Sequence, residues 1–144
     1  MMHNKTKGSV AELAVAARLM QDGWRVLLPY GENTRYDLVA ERDGRFLRVQ
    51  VKYVTPKEGK LTVNCRSSNN WSVLPYTAAE IDVIAVYEAA GGAVYYVPVS
   101  RIRKNEMILR LAPTKNRQRS RVRFAADFST LRERGPRYKS LIEA

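Results

Sequence analysis

The stretch Tyr36-Asp37-Leu38-Val39-Ala40-Glu41-Arg42-Asp43-Gly44-Arg45-Phe46-Leu47-Arg48-Val49-Gln50-Val51-Lys52 reads as a β-hairpin. Apolar and polar residues alternate around Asp43-Gly44, and Asp-Gly in that setting marks a two-residue type I′ turn. With Asp43 and Gly44 as the loop, paired positions sum to 87, so Asp37 falls opposite Gln50. Cross-strand partners carry Cβ atoms roughly 5 Å apart on one face, and Lys52 lies on that face two residues along. A carboxylate, an amide oxygen and an ammonium converging on one spot make a candidate metal-and-phosphate site.

Outward from the hairpin, Leu47, Val49, Val51 and Tyr53 alternate with Phe46, Arg48, Gln50 and Lys52. One face is apolar and the other mostly polar, as in a strand packed on a helix on one side. The spacing of Val10, Leu13, Ala14, Ala17 and Met20 predicts that helix from Ser9 to Gln21, with Gly23 as its stop. Strands are expected from Trp24 to Leu28, Tyr36 to Glu41, Arg45 to Val54 and Lys60 to Cys65. Thr77-Ala78-Ala79-Glu80 reads as a short helical turn leading into a strand from Ile81 to Tyr87. Gly91-Gly92 turns the chain into Ala93 to Val97, and further strands are expected at Met107 to Leu111 and Arg119 to Phe124. This order predicts an α/β domain with a mixed sheet.

Composition narrows the chemistry. A chain of 144 residues with 45% hydrophobic content is a single globular domain by length. With Cys65 its one cysteine and His3 its one histidine, it can form neither an intramolecular disulfide nor a Cys/His zinc site. His3 is expected in a frayed terminus, which leaves His-based nuclease or triad chemistry without a base. The start has basic residues but no apolar leader, and no run approaches a membrane span, so a cytoplasmic protein is expected. Phosphate-loop and dinucleotide fingerprints are missing.

Charge is unevenly placed. Residues 1–99 hold 12 Lys/Arg against 10 Asp/Glu, a net +2, whereas residues 100–144 hold 13 against 4, a net +9. That asymmetry points to a polyanion, and the absence of an amphipathic basic helix favours nucleic acid over a membrane surface. We therefore divide the chain into a core at 1–99 and a basic DNA-binding segment at 100–144, packed on the same domain. Lys115, Arg117, Arg119, Arg121 and Arg123 fall on every second residue, and in an extended strand all five would share one face. A charge-blunted edge strand is the plain explanation. A β-ribbon lying in a DNA groove is the functional one, with Asn116 and Gln118 placed to read bases.

Each candidate also has a local explanation. Ser9-Val10-Ala11-Glu12 fits a capping box in which Glu12 reaches back to the backbone of a Ser9 N-cap. Asp37 could be a solvated strand end, Gln50 an ordinary surface residue and Lys52 a snorkelling cation. Tyr76 and Trp71 read as core or rim aromatics. The shared geometry of the set favours phosphodiester hydrolysis. Carboxylates bind Mg²⁺ together with waters and substrate phosphate oxygens, and a lysine offsets the charge that develops on the phosphorus.

With these residues assembled, the chain resembles the PD-(D/E)XK nuclease superfamily. The likeness rests on Lys7-Gly8 and Glu12 of the first helix, Gly23-Trp24-Arg25-Val26, Tyr36-Asp37 and Gln50-Val51-Lys52. Within the superfamily it is most similar to the small group I intron-associated homing endonucleases, through Tyr76, Glu80-Ile81-Asp82, Tyr96-Val97-Pro98 and the run from Leu109-Arg110-Leu111 to Phe128. The resemblance implies a restriction-endonuclease-like αβββαβ core with a mixed sheet, carrying a basic C-terminal DNA-binding extension. It makes Glu12, Asp37, Gln50 and Lys52 catalytic, and Asp37, Glu12, Gln50 and the Val51 carbonyl the metal-site groups. Tyr36 stands where the motif nominally has Pro, and Gln50 where it more often has an acid. The implied activity is Mg²⁺-dependent cleavage of double-stranded DNA, with Mn²⁺ as the substitute metal, by a homo-oligomer (dimer or tetramer) that needs no other protein. A Holliday-junction resolvase and a DNA-binding protein with a decayed nuclease site are the alternatives.

Overall fold

The computed structural model of the chain describes residues 1–31, 33–68, 73–117 and 121–132. It opens on helix α1 (Asn4–Gln21) and continues through β1 (Arg25–Leu27), β2 (Leu38–Arg42), β3 (Arg45–Val54), β4 (Lys60–Asn64), β5 (Arg66–Ser68), β6 (Val73–Pro75), β7 (Val83–Glu88), β8 (Val94–Pro98) and β9 (Glu106–Arg110). Short 3₁₀ turns occupy Val99–Arg101 and Ala125–Phe128. No described helix is long and apolar enough to cross a membrane.

The main sheet runs β1-β2-β3-β7-β8. The β3–β7 pair is parallel and the other pairs are antiparallel, giving a mixed sheet. The β2–β3 register is the expected one, from Leu38 opposite Val49 to Arg42 opposite Arg45. Asp43 at φ 53° and Gly44 at φ 74° give the left-handed pair that a type I′ turn requires. β3 has the boundaries its alternation predicts. Its Leu47, Val49 and Val51 pack under Ala11, Val15 and Leu19 of α1.

The opposite face of the sheet is also covered. Ile84, Val86 and Val97 pack against Leu61 and Val63 of β4 and Met107 and Leu109 of β9, which pair as a separate two-stranded sheet. Covered on both faces, β7 is apolar at consecutive positions from Val83 to Val86 instead of alternating. Truncating a fully buried leucine here, Leu38 or Leu61, to Ala would cost about 2–5 kcal/mol. Residues beyond 100 contribute Met107, Leu109, Ala125, Phe128 and Leu131 to these cores.

The structure departs from the sequence reading in several places. The helix begins at Asn4, one residue after His3, whose Nδ1 accepts the Lys5 N–H at 3.2 Å as an N-cap. Ser9 lies inside the helix with its hydroxyl donating to the Lys5 carbonyl at 3.2 Å, so it caps nothing and the capping-box explanation of Glu12 falls away. The buried stripe is Ala11, Val15 and Leu19, while Leu13 and Met20 are exposed. A helix rich in alanine and valine offers more than one apolar stripe, and only the sheet selects between them. The C-terminus is as expected: Gly23 at φ 91° and the bonds Gly23 N–H to Met20 C=O and Trp24 N–H to Leu19 C=O form a Schellman motif.

The chain between the parallel strands β3 and β7 is the third departure. Arg66–Ser68 and Val73–Pro75 pair there as strands that the sequence reading did not expect, whereas its short helical turn is the one read from the sequence. Its helical element is one turn, Thr77 to Glu80, closed by the N–H groups of Glu80 and Ile81 on the Thr77 carbonyl. The fourth lies in the basic segment. Lys115 and Asn116 form a turn, Arg117 and Arg121 take left-handed φ of 56° and 61°, and no described residue from 115 to 123 is in a strand. A ribbon with all its cations on one face cannot pass through such residues, because φ above zero breaks the two-residue alternation. Gln118 and Arg119 lie outside the described residues.

Candidate active site

The candidate site forms where β2 stops short of the full length of β3. The Asp82 N–H donates to the Arg48 carbonyl and the Ala89 N–H to the Val54 carbonyl, so even-numbered backbone groups of β3 face β7. Those of Val49 and Val51 therefore face β2. β2 begins at Leu38, and Asp37 just before it serves both groups. Its N–H donates to the Val49 carbonyl at 2.8 Å, and its Oδ2 accepts the Val51 N–H at 2.8 Å. This offset replaces the simple Asp37–Gln50 pairing expected from the register. The Val51 carbonyl next along accepts from the Gln50 side-chain amide at 3.4 Å.

Glu12 reaches the same place from α1. Its carboxylate is hydrogen-bonded to that of Asp37, and both titrate above their ordinary range. For Glu12 the causes are burial and then the Asp37 charge. For Asp37 burial dominates, offset by the Val51 N–H, the contact with Glu12 and the positive charge of Lys52. Two carboxylates in contact repel when both are ionised, so the pair favours a shared proton or a cation.

Lys52 approaches from the other face of β3. Its Nζ donates to the Arg66 carbonyl at 3.3 Å and lies 5.0 Å from the centre of the Tyr76 ring. Tyr76 is buried in the second core and also carries Arg35, whose guanidinium sits 4.5 Å from the ring centre. Arg35 is further held by Glu80 at 2.8 Å and by the Leu74 and Pro75 carbonyls. Residues 35–37 are thereby tied to β6, and Lys52 to β5. Sequence reasoning missed Arg35, and its only signal was a position two residues before Asp37. It treated Tyr76 as core, which is correct, without seeing that the ring faces two cations.

Arg48 shares the polar face of β3 but serves the fold. It forms a two-point pair with Asp82 at 3.0 Å and donates to the Ala78 and Ala79 carbonyls. A cavity of about 770 Å³ is lined by Leu47, Asp82, Tyr96, Arg101 and Phe128 among others, and none of the candidate residues borders it. A cleft for duplex DNA is a surface feature, so the carboxylates and not the cavity mark the candidate site.

The donor set suits one kind of metal. Among the described residues no group of three or more His, Cys, Asp or Glu comes together. Two carboxylates and an adjacent backbone carbonyl fit Mg²⁺, which keeps waters and completes its shell with phosphate oxygens.

The basic segment is arranged differently from expectation. Lys115, Asn116, Arg117 and Arg121 are exposed, and Asn116 Oδ1 accepts from the Thr114 hydroxyl at 2.9 Å. Arg123 is half-buried, and its carbonyl accepts the Arg110 N–H at 2.7 Å. Burial and then the charges of Arg103 and Arg101 hold its guanidinium below the usual arginine range. Arg101 and Arg103 therefore act on Arg123 as like charges, a relationship that sequence spacing did not reveal.

Comparison with known proteins bears on the family and the fold. A family model described as PD-(D/E)XK endonuclease matches residues 2–131. The structure of a bacterial homing endonuclease, I-Ssp6803I, is similar, with TM-score 0.67 and 31% identity over 83% of this chain and 84% of that one. A second likeness, to the Holliday junction resolvase Hjc of Archaeoglobus fulgidus, has TM-score 0.45 and 19% identity over 72% of this chain and 84% of that one. No curated protein matches.

Proposed function

The chain belongs to the PD-(D/E)XK endonuclease family, and on that basis we propose that it is a Mg²⁺-dependent, sequence-specific endonuclease of the homing type acting on double-stranded DNA. The observation that carries this reading is the contact of Glu12 with Asp37, whose carboxylate accepts the Val51 N–H and feels the charge of Lys52. The likeness to a bacterial homing endonuclease over most of both chains supports the homing assignment.

In this reading Glu12, Asp37 and the Val51 carbonyl would hold Mg²⁺, with Gln50, whose side-chain amide donates to that carbonyl at 3.4 Å, beside them. Bound Mg²⁺ would supply an ionised water and offset charge on the scissile phosphate. Lys52 donates to the oxygens that gain charge in the transition state, or orients the attacking water. The Arg66 carbonyl and the Tyr76 ring hold its ammonium in place without neutralising it. Mn²⁺, with the same preference for oxygen ligands, would substitute.

The duplex is bound through phosphates, with Arg101, Arg103, Arg123 and the exposed Lys115 and Arg117 as contacts. A homo-oligomer supplies a second site for the second strand. Exposed Leu13 and Met20 on α1 and Leu28 and Tyr30 after β1 give it apolar surface to build on.

The test is digestion of a large, diverse DNA pool with Mg²⁺, sequencing the new ends and running Lys52→Ala in parallel. Ends accumulating at one long site, and missing with the variant, are expected. Cleavage confined to four-way junctions would make it a resolvase, and no ends above the variant's background would make it a binding protein.

A further inference from the structure

Gly8 lies inside α1, in its second turn, where glycine destabilises a helix relative to alanine. Nothing among the described residues explains it. A Cβ built at Gly8 would meet nothing within 4 Å. Every other described glycine has a local reason: Gly23, Gly31, Gly44, Gly59 and Gly92 take positive φ, and a Cβ on Gly91 would meet Glu88 Oε2 at 2.8 Å.

Its position is informative. Gly8 and Glu12 are four residues apart and so neighbours on one helix face, roughly 5–6 Å apart. Glu12 contacts Asp37 across the candidate site. On the other side of Gly8, Lys7 holds its ammonium 5.7 Å from the Tyr53 ring centre. The missing side chain thus opens a bare stretch of helix between a carboxylate pair and a cation.

We propose that Gly8 is a substrate-approach residue, whose missing side chain lets the DNA sugar–phosphate backbone lie against α1 beside Glu12, with Lys7 as the neighbouring phosphate contact. Close approach of a ligand to backbone is a recurrent reason for glycine where no turn demands it. The inference rests on the nuclease reading above and adds the path by which the strand enters.

Gly8→Ala and Gly8→Leu test it in the full chain. Thermal melting is expected to rise by a few degrees with Gly8→Ala, since alanine favours the helix. Single-turnover cleavage of the duplex that wild type cuts should fall about 10²-fold with Gly8→Ala and further with Gly8→Leu. Affinity, measured in the Lys52→Ala background so that the duplex stays intact, should weaken by about tenfold or more. Variants that bind and cut as wild type does would overturn the inference while leaving the nuclease reading in place. A fall in melting temperature with Gly8→Ala would also overturn it, by showing that packing inside the chain requires the glycine. A wild type that neither binds nor cuts DNA would bring down both readings.

Discussion

Asp37 accepts the Val51 N–H through its carboxylate at 2.8 Å while donating its own N–H to the Val49 carbonyl. One residue thus ends the β2–β3 ladder and fixes a carboxylate at the point where the ladder opens. The bond to Val51 restrains the Asp37 side chain, so the acid is preorganised by backbone geometry and not by a packed side-chain shell.

Because burial raises the Asp37 carboxyl, the metal-free folded state holds its proton more tightly than the unfolded chain does. The sign follows: the stabilisation is complete below the unfolded carboxyl pKa and is lost as pH rises through the folded one. Asp37→Asn, which keeps an oxygen for the Val51 N–H, should therefore melt higher than wild type at about pH 7 in chelator. The difference should shrink as the pH falls towards the carboxyl range, while cleavage is abolished. Equal melting curves at neutral pH would show that the Glu12–Asp37 pair carries no strain.

The same pair sets a pH dependence of catalysis. A shared proton must leave before both carboxylates can take a cation, so kcat/KM should rise with pH through a limb above the ordinary carboxylate range. Raising the Mg²⁺ concentration should move that limb to lower pH, because metal and proton compete for the same oxygens. A limb insensitive to Mg²⁺ would assign it to another group.

Lys52→Ala should lower single-turnover cleavage by about 10²–10³-fold and leave duplex affinity within a few-fold, as expected for a group acting in the transition state. Tyr76→Leu keeps apolar volume but removes the ring face beneath the ammonium. It should lower cleavage by less than Lys52→Ala does, and a double variant should add little to the lysine change.

Arg48→Met would remove its two-point bond to Asp82 and its bonds to the Ala78 and Ala79 carbonyls. It leaves a half-buried carboxylate without its cation, at a cost of about 2–3 kcal/mol in denaturant unfolding. The folded fraction should cut DNA at the wild-type rate, which separates this arginine from Lys52 on the same face of β3.

Paired alanine changes at Arg101 and Arg103 should weaken duplex binding and lower the salt slope by about one for each phosphate that is no longer neutralised. They should also return Arg123 towards the ordinary arginine range by removing two like charges. An unchanged slope would shift the DNA contact to Lys115, Arg117 and the segment around them.

The β2–β3 hairpin was legible because its signals are local. Asp43-Gly44 specifies a turn, alternation specifies the faces, and together they fix the register from Arg42 opposite Arg45 to Leu38 opposite Val49. The helix was legible in kind but not in phase. Residues 10, 13, 14, 17 and 20 read as apolar just as residues 11, 15 and 19 do, and only contact with Leu47, Val49 and Val51 decides between the stripes. The basic run misled because alternation of charge resembles strand spacing, whereas Arg117 and Arg121 adopt left-handed backbone there.

Local sequence therefore specifies the hairpin, its register, the helix stop at Gly23 and the residue types from which a metal and phosphate site can be built. These depend on the intrinsic conformational preferences of neighbouring residues, which act over a few positions. Packing between elements brings Glu12 to Asp37, moves Asp37 out of register to hold the Val51 N–H, and sets Tyr76 beneath Lys52. Those relationships join residues up to dozens of positions apart across both faces of one sheet. No local preference encodes them, because they arise from how α1, β2 and β6 pack around the end of β3 that β2 leaves unpaired.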